Sequence, residues 1–166
     1  MKLHNVVVLG CGRWGKNIIR TISDLSSRLP IALHCVVHCG NEGNRDRTEN
    51  ELGIRCTTDV DVALGEADIA LIATPDETHF SLARRALAAG IPTFVEKPVA
   101  SSLSETNELV NLAVSNDTLL SVGHILAFHP CVEAIRTHIR DKQETIQSIY
   151  SSRMDAFRRE AGKTVI

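Results

Sequence analysis

Short, continuously apolar runs alternate with longer amphipathic stretches along most of this 166-residue chain. The runs at residues 5–9 and 68–74 carry almost no polar side chain between their ends, which is typical of strands buried on both faces. A sheet with one face in water would instead alternate apolar and polar residues. We therefore expect an α/β fold, a doubly wound parallel sheet with helices on both of its faces.

Six such runs predict six strands, which lie at residues 5–9, 31–38, 54–58, 68–74, 91–95 and 118–122. We expect them to pair in the doubly wound order 3-2-1-4-5-6, with right-handed crossovers between parallel neighbours. The first intervening helix is predicted to bury Ile18, Ile22, Leu25 and Leu29 on one stripe, because their spacings are four, three and four. Pro30 is expected to end that helix.

The other helices are predicted from their end signals. The polar, turn-rich residues 41–50 are expected to lead into a weak helix that stops near Gly53. Asp76 is predicted to cap the helix that follows the fourth strand. Ser102 and Glu105 stand three apart in a capping-box pattern, which predicts a helix that reaches about residue 115.

A glycine-rich turn, here called the glycine loop, directly follows the first predicted strand and opens the first predicted helix. It reads G-C-G-R-W-G, which is the pattern G-x-G-x-x-G in the context that dinucleotide binding requires. The three glycines permit a tight turn, a close approach of backbone to a pyrophosphate, and close packing of helix on strand. The predicted cofactor contacts are Gly10, Cys11, Gly12, Arg13, Trp14 and Gly15. Trp14 is equally compatible with partial burial against the helix.

The end of the second predicted strand bears on the choice between NAD and NADP. An acidic residue there would bind the 2′-hydroxyl of the adenosine ribose and favour NAD, but the sequence has His38 and Cys39 and no carboxylate before Glu42. Arg45 and Arg47 follow, and arginines attract a 2′-phosphate. We expect NADP rather than NAD, with His38, Cys39 and Arg45 beside the cofactor. The alternative, that both arginines merely begin a solvated helix, stays open.

Charge, hydropathy and cysteine content argue against several other classes of protein. A formal net charge of −2 gives no reason to expect nucleic acid or an anionic membrane surface as a partner. No apolar run approaches the ~20 residues of a membrane span. The five cysteines form no C-x-x-C pair and no zinc-type pattern, so we expect no metal site. Reduced thiols are typical of the cytoplasm, where we expect this protein to reside.

Three further motifs stand at predicted strand ends, where open α/β sheets bind their ligands. They read T-P-D-E-T-H from Thr74, E-K-P from Glu96 and V-G-H-I-L-A-F-H-P from Val122. With the glycine loop, their order and spacing resemble the Gfo/Idh/MocA oxidoreductases, the family of glucose–fructose oxidoreductase and inositol dehydrogenase. The resemblance covers essentially residues 1–150. The last motif departs from it, because many members carry an arginine where this chain has Ala127.

The resemblance implies an NAD(P)-dependent dehydrogenase of a sugar, sugar nucleotide or cyclitol. Lys97 would be its acid/base, taking a proton from the carbinol oxygen while the hydride leaves carbon. The Lys97–Pro98 peptide bond would be cis. The further cofactor-binding residues that it implies are Thr74, Pro75, His79, Glu96, Lys97 and Pro98. His79 also fits a second interpretation, that of a partly buried histidine in a helix.

The resemblance also bears on domain organisation. Family members are longer, and their second domain is an open, mostly antiparallel sheet that supplies most substrate contacts. We expect a dinucleotide-binding domain over residues 1–145 and, at residues 146–166, either only the start of that second domain or a tail. Residues 146–153 alternate in the manner of a strand. A chain without the second domain is expected to bind the dinucleotide with little turnover, because the reacting carbon is not positioned.

Two functions remain open at this point. One is a dehydrogenase with a carbohydrate-like substrate, working in a longer chain or an assembly. The other is a non-catalytic dinucleotide-binding module with a sensing or structural role. A strand left unpaired near the end of the chain would leave an exposed edge or pair with another chain, and a homo-oligomer is expected.

Overall fold

The computed structural model describes residues 3–28, 32–142, 145–150 and 152. The chain divides into two compact units, Met1–His124 and Ile125–Ile166. The first unit holds a six-stranded parallel sheet in the order β3-β2-β1-β4-β5-β6, which confirms the predicted topology. Its strands are β1 (Leu3–Leu9), β2 (Ala32–His38), β3 (Cys56–Thr57), β4 (Ile69–Ile72), β5 (Thr93–Val95) and β6 (Leu120–Val122). Its helices are α1 (Arg13–Arg28), α2 (Glu42–Leu52), α3 (Val60–Gly65), α4 (His79–Ala88) and α5 (Leu103–Ser115).

The central strand β1 shows why its sequence is apolar throughout. Successive side chains of a strand point to opposite faces of the sheet. Val7 and Leu9 therefore join one core cluster with α3, α4 and α5, whereas Val6 and Val8 join a second cluster with α1 and the end of α2. Both faces of the sheet are covered, and all the strands end on the same edge, where the glycine loop begins.

Helix α1 buries a different stripe from the predicted one. Its buried residues are Gly15, Ile19 and Ile22, while Ile18 is half-buried and Leu25 is 41% exposed. The spacing was correct, but the rotation of the helix is set by the close contact of Gly15 with the glycine loop. Two further expectations for this helix, the burial of Leu29 and its end at Pro30, lie outside the described residues.

Helix α2 occupies the polar segment that was expected to be turn-rich. The Asn41 side chain accepts a hydrogen bond from the Asn44 N–H at 2.9 Å and so caps its start. Gly53 ends it in the left-handed region, with φ 63° and its N–H bonded to the Glu49 carbonyl. The predicted helix and its end near Gly53 are confirmed, but the helix begins already at Glu42, within the segment expected to be turn-rich. Its start was missed because it has almost no apolar face, which leaves the caps as the main signals.

The starts of α5 and α4 show one correct and one wrong prediction. The Ser102 hydroxyl accepts from the Glu105 N–H at 3.2 Å, as the capping pattern predicted. The Glu105 carboxylate accepts from the Ser101 N–H at 2.9 Å, one residue before the cap. Asp76 instead begins a 3₁₀ turn, Asp76–Thr78, and α4 starts only at His79. The turn is closed at three residues because the Thr78 N–H bonds to the Pro75 carbonyl at 3.0 Å.

The second unit contains a short 3₁₀ turn, Ile125–Phe128, and the helix α6, Pro130–Lys142. Residues 145–150 form no strand, so the described part of the predicted strand at 146–153 is not one. A single strand gains little without a partner. The rest of that segment lies outside the described residues, and the predicted domain boundary after residue 145 stays a prediction.

Candidate functional site

The glycine loop uses its three glycines for different reasons. Gly10 has φ +109°, and a Cβ there would lie 2.6 Å from the carbonyl oxygen of Ala73 at the end of β4. A Cβ on Gly15 would overlap the carbonyl oxygen of Gly10. A Cβ on Gly12 would meet nothing within 4 Å. The first and third glycines are therefore required by the protein itself, whereas the second leaves open space above the loop.

The start of α1 faces that space. The helix begins at Arg13, and the Lys16 N–H bonds to the Gly12 carbonyl at 3.0 Å. The N–H groups of the first turn have no intrahelical partner and carry the positive end of the helix dipole. Arg13 and Trp14 are both exposed at the mouth of the loop, with Trp14 56% exposed. This arrangement is suited to an anion such as a pyrophosphate.

A cavity of about 620 Å³ lies over the glycine loop, and we call it the loop cavity. The predicted cofactor-binding residues that line it are Gly10, Cys11, Gly12, Arg13, Trp14, His38, Thr74 and Pro75. They come from the carboxyl ends of β1, β2 and β4, three adjacent strands of the sheet. Open parallel sheets bind ligands at this edge, where the strand order reverses.

The loop cavity also has walls that the sequence did not reveal. They are formed by Gly40, Asn44, Ala73, Thr78, Ser81 and Leu82. The start of α4 and the turn before it supply Thr78, Ser81 and Leu82, which stand at helical spacing about one turn after Thr74 and Pro75. Asn44 lies in the first turn of α2, within the residues that were expected to be turn-rich. A correct prediction of those two helix starts would have identified most of these residues.

Three thiols lie in or next to the glycine loop. Cys11, Cys39 and Cys56 are buried and free, and they belong to the same core cluster. Burial is the main cause that raises the pKa of the Cys39 thiol and of the Cys56 thiol, and a hydrogen bond with Cys11 raises the pKa of Cys39 further. Of the predicted cofactor residues, Cys39 thus packs below the loop and does not line the loop cavity.

His38 ends β2, and its ring is held on one side only. Its Nε2 atom lies 3.2 Å from the carbonyl oxygen of Thr58. Its Nδ1 atom is buried and has no hydrogen-bond partner among the described residues. Desolvation lowers the pKa of His38 from its ordinary value, against smaller raising effects of the Thr58 carbonyl and of Asp59.

The two arginines that favoured NADP are engaged with other side chains. Arg45 forms ion pairs with Glu42 and with Asp46, the latter at 2.8 Å. Arg47 donates to the Asn44 side-chain oxygen at 2.7 Å. Arg45 does not line the loop cavity. A 2′-phosphate would have to compete with two carboxylates for the Arg45 guanidinium.

His79 connects the loops that follow β4 and β5. It is only 2% exposed. Its Nδ1 atom lies 2.6 Å from the Pro98 carbonyl oxygen, and its Nε2 atom lies 3.0 Å from the Thr74 carbonyl oxygen. The Thr74 hydroxyl in turn accepts from the Thr78 hydroxyl at 2.7 Å. Both ring nitrogens of His79 are thus engaged by the backbone.

The E-K-P motif follows β5 at the same edge of the sheet. The Glu96 N–H bonds to the Ile72 carbonyl at 2.9 Å, which continues the sheet pairing, while the Lys97 side chain is exposed. The Lys97–Pro98 peptide bond is cis, as the resemblance implied. A Cβ on Gly123 would lie 2.9 Å from a carboxylate oxygen of Glu96. Gly123 therefore leaves room for the Glu96 side chain beside β6.

The fold, the glycine loop and the loop cavity define an NAD(P)-binding domain of the Rossmann type. A sequence profile described as "Oxidoreductase family, NAD-binding Rossmann fold" matches residues 4–124. The chain belongs to this family, the Gfo/Idh/MocA oxidoreductases.

Several relatives of known activity are similar to this chain. UDP-N-acetylglucosamine 3-dehydrogenase of Acidithiobacillus ferrooxidans is 36% identical over 86 residues, which are 52% of this chain and 28% of that protein. Inositol 2-dehydrogenase 2 of Saccharopolyspora erythraea is 31% identical over 132 residues, 76% of this chain and 38% of that protein. The solved structure of the Acidithiobacillus enzyme superposes with a TM-score of 0.68 at 28% identity, over 83% of this chain and 42% of that one.

These comparisons also give the extent of the match. The chain spans less than half the length of the relatives just described. In the part of the chain that the structure describes, no helix is both long and apolar enough to cross a membrane.

Proposed function

We propose that this chain binds NAD or NADP in the loop cavity and forms the dinucleotide-binding part of a dehydrogenase. The substrate class that we propose is a sugar, a sugar nucleotide or a cyclitol, because relatives named for UDP-N-acetylglucosamine and for inositol are similar to this chain. The observation that carries the proposal is the open space above Gly12, at the start of α1, within a cavity of about 620 Å³.

The residues present fit a dinucleotide at this place. The first-turn N–H groups of α1 and the exposed Arg13 would bind the pyrophosphate, because both present positive charge to it. Thr74 and Pro75, at the end of β4, would line the cavity on the adenosine side. Gly12 would let the backbone approach the phosphates closely. The bound dinucleotide supplies the nicotinamide ring that accepts or donates the hydride.

Lys97 is the acid/base in this proposal. In the oxidative direction its neutral amine would take the proton from the carbinol oxygen, and in the reverse direction its ammonium would protonate the carbonyl oxygen. Two features support this role. The side chain is exposed at the carboxyl edge of the sheet, and the carbonyl of the next residue, Pro98, is anchored by buried His79. Glu96 would help to position this turn, because its carboxylate accepts from the Lys97 N–H at 3.3 Å.

Dinucleotide binding is tested with a pair of glycine variants. Wild-type protein is titrated with NAD⁺ and NADP⁺ in a calorimeter and in a thermal-shift assay. We expect saturable binding, and its loss in Gly12→Val, because a Cβ at Gly12 meets no protein atom within 4 Å and the added side chain would occupy the space of the ligand. The matched control is Gly65→Val, since a Cβ there also meets nothing within 4 Å and Gly65 does not line the loop cavity. Wild-type protein that binds neither nucleotide would refute the proposal.

Catalysis is tested separately, in the protein that carries this chain. A panel of sugars, sugar nucleotides and inositols is assayed with both nucleotides, in wild type and in Lys97→Ala. Turnover that Lys97→Ala abolishes, in a variant that still binds the nucleotide, supports the dehydrogenase. Binding without turnover in either protein supports the alternative, a non-catalytic dinucleotide-binding module. The predicted homo-oligomer is a further part of the proposal, which sedimentation analysis of the same sample tests.

A further inference from the structure

The end of β2 carries a histidine where dinucleotide-binding domains commonly carry a carboxylate. His38 is the last residue of β2 and pairs in register with Leu9, the last residue of β1. The Gly10 N–H bonds to the His38 carbonyl at 3.0 Å, and the His38 side chain lines the loop cavity. An acidic group at this place accepts a hydrogen bond from the 2′-hydroxyl of the adenosine ribose. His38 stands in the position of that acceptor.

The hydrogen bond on the far side of the ring fixes its tautomer. A carbonyl oxygen only accepts, so the Nε2 atom that lies 3.2 Å from the Thr58 carbonyl must carry a hydrogen. In the neutral ring, Nδ1 is then a bare acceptor. It is buried beside the loop cavity, with no partner among the described residues. Buried acceptors without a donor are rare in folded proteins, and a ribose hydroxyl would supply the donor that this one lacks.

The charged groups around His38 come from three neighbouring elements. Asp59 caps α3 and favours the charged form of the ring, whereas Arg85 of α4 opposes it. Arg85 is itself paired with Asp61 of α3. From α2, Glu42 accepts a hydrogen bond from the Thr58 hydroxyl at 2.9 Å. Burial has the largest effect of all, and it lowers the pKa of His38 from its ordinary value. Burial therefore favours the neutral ring over the charged one.

The nearby arginines do not replace His38 as a phosphate ligand without a rearrangement. Arg45 bridges two carboxylates, and Arg47 is bonded to Asn44. A protonated His38, by contrast, would carry an Nδ1–H that has no acceptor among the described residues.

We infer that the protonation state of His38 selects the dinucleotide: the neutral ring accepts from the 2′-hydroxyl of NAD, and the protonated ring donates to the 2′-phosphate of NADP. This inference rests on the proposed function, because it concerns the same cavity. It replaces the earlier expectation of a fixed preference for NADP with one that changes with pH. Each unit by which the pKa of His38 differs between the two complexes changes the ratio of the two affinities about tenfold.

The experiment measures the dissociation constants of NAD⁺ and NADP⁺ by calorimetry at about pH 5.5 and about pH 8, on either side of the ordinary histidine range. We expect wild-type protein to prefer NAD⁺ at the higher pH. The ratio of affinities should shift toward NADP⁺ by about tenfold or more at the lower pH. The 2′-phosphate also titrates, with a pKa of about 6, so its own contribution is read from His38→Gln. Gln keeps an acceptor but does not titrate, and its ratio should shift less.

Two further variants separate His38 from the arginines. His38→Asp restores a carboxylate, and it should reject NADP⁺ at both pH values. Arg45→Ala should leave the pH dependence of the ratio intact. If Arg45→Ala instead removes NADP⁺ binding equally at both pH values, the arginine is the determinant and the inference is wrong.

An NMR measurement on the His38 ring of the wild-type protein makes the test independent of how well the variants fold. In protein labelled with ¹⁵N-histidine, NAD⁺ should shift the Nδ1 resonance of His38 and lower its pKa, whereas NADP⁺ should raise it. An unshifted Nδ1 with both nucleotides bound would overturn the inference. So would a pH dependence of the ratio that is equal in wild type and His38→Gln. Failure of wild type to bind either nucleotide would instead refute the proposed function.

Discussion

The Nδ1 atom of His79 lies 2.6 Å from the carbonyl oxygen of Pro98, directly after the lysine of the E-K-P motif. The other ring nitrogen lies 3.0 Å from the Thr74 carbonyl oxygen. One buried imidazole therefore ties the loop after β4 to the loop after β5. A neutral ring can donate to only one of these carbonyls, and a ring with two protons can donate to both. Either way, the geometry of both loops depends on His79.

We predict that His79→Leu lowers the free energy of unfolding by about 1–3 kcal/mol, because the buried ring no longer hydrogen-bonds the Pro98 or Thr74 carbonyl while its volume is roughly kept. Urea denaturation monitored by circular dichroism measures this loss. His124→Leu is the matched control, since His124 is exposed, and it should change stability by no more than about 0.5 kcal/mol. Equal stabilities of the two variants would contradict the anchoring role.

The three glycines of the loop should respond differently to alanine. Gly15→Ala places a Cβ on the Gly10 carbonyl, and Gly10→Ala combines a positive φ with a contact of 2.6 Å to the Ala73 oxygen. We predict that each costs about 3 kcal/mol or more, since neither clash can be relieved by moving a flexible side chain. Gly12→Ala should leave thermal unfolding unchanged. A destabilised Gly12→Ala would mean that this glycine serves the fold and not a ligand.

The sequence predicted the sheet well because buried parallel strands have a distinctive composition. The continuous apolar runs at residues 5–9 and 68–74 are typical of such strands. The order of the strands followed from the doubly wound rule. It predicted the end of α2 near Gly53 but missed its start, because the helix has caps at Asn41 and Gly53 but almost no apolar face. The rotation of α1 was also missed, since it depends on a backbone contact of Gly15 across the loop.

The candidate site was predictable where a single residue type is required by the backbone. Gly10 and Gly15 are such positions. The roles of individual side chains were harder to predict from the sequence. Arg45 was expected near a phosphate, but local ion pairs with Glu42 and Asp46 compete for it. His79 was assigned either to the cofactor or to a helix interior, and only the fold reveals its two backbone contacts.

Stability should also depend on the ionisation of His38. Above its ordinary pKa of about 6.5, the ring is neutral in both folded and unfolded chains, and the full stability is present. Because burial lowers the folded-state pKa, the unfolded chain takes up the proton first as the pH falls. Stability is then lost between about 6.5 and the lower folded-state pKa. His38→Gln should lose less stability on acidification, which urea midpoints at about pH 7.5 and about pH 5.5 would measure.

The thiols should divide into two classes by their reactivity. The thiolate is the reactive form, and burial raises the pKa of Cys39 and of Cys56, whereas Cys131 is exposed. We predict that iodoacetamide labels Cys131 at least about 100-fold faster than Cys39, because labelling of the latter requires local opening of the core. Peptide mass spectrometry measures each site separately, and Cys131→Ser should remove the fast label alone. Rapid labelling of Cys39 in the folded protein would show that the base of the glycine loop opens readily. In that case, saturating dinucleotide should slow the labelling, since a ligand that binds only the closed loop suppresses its opening.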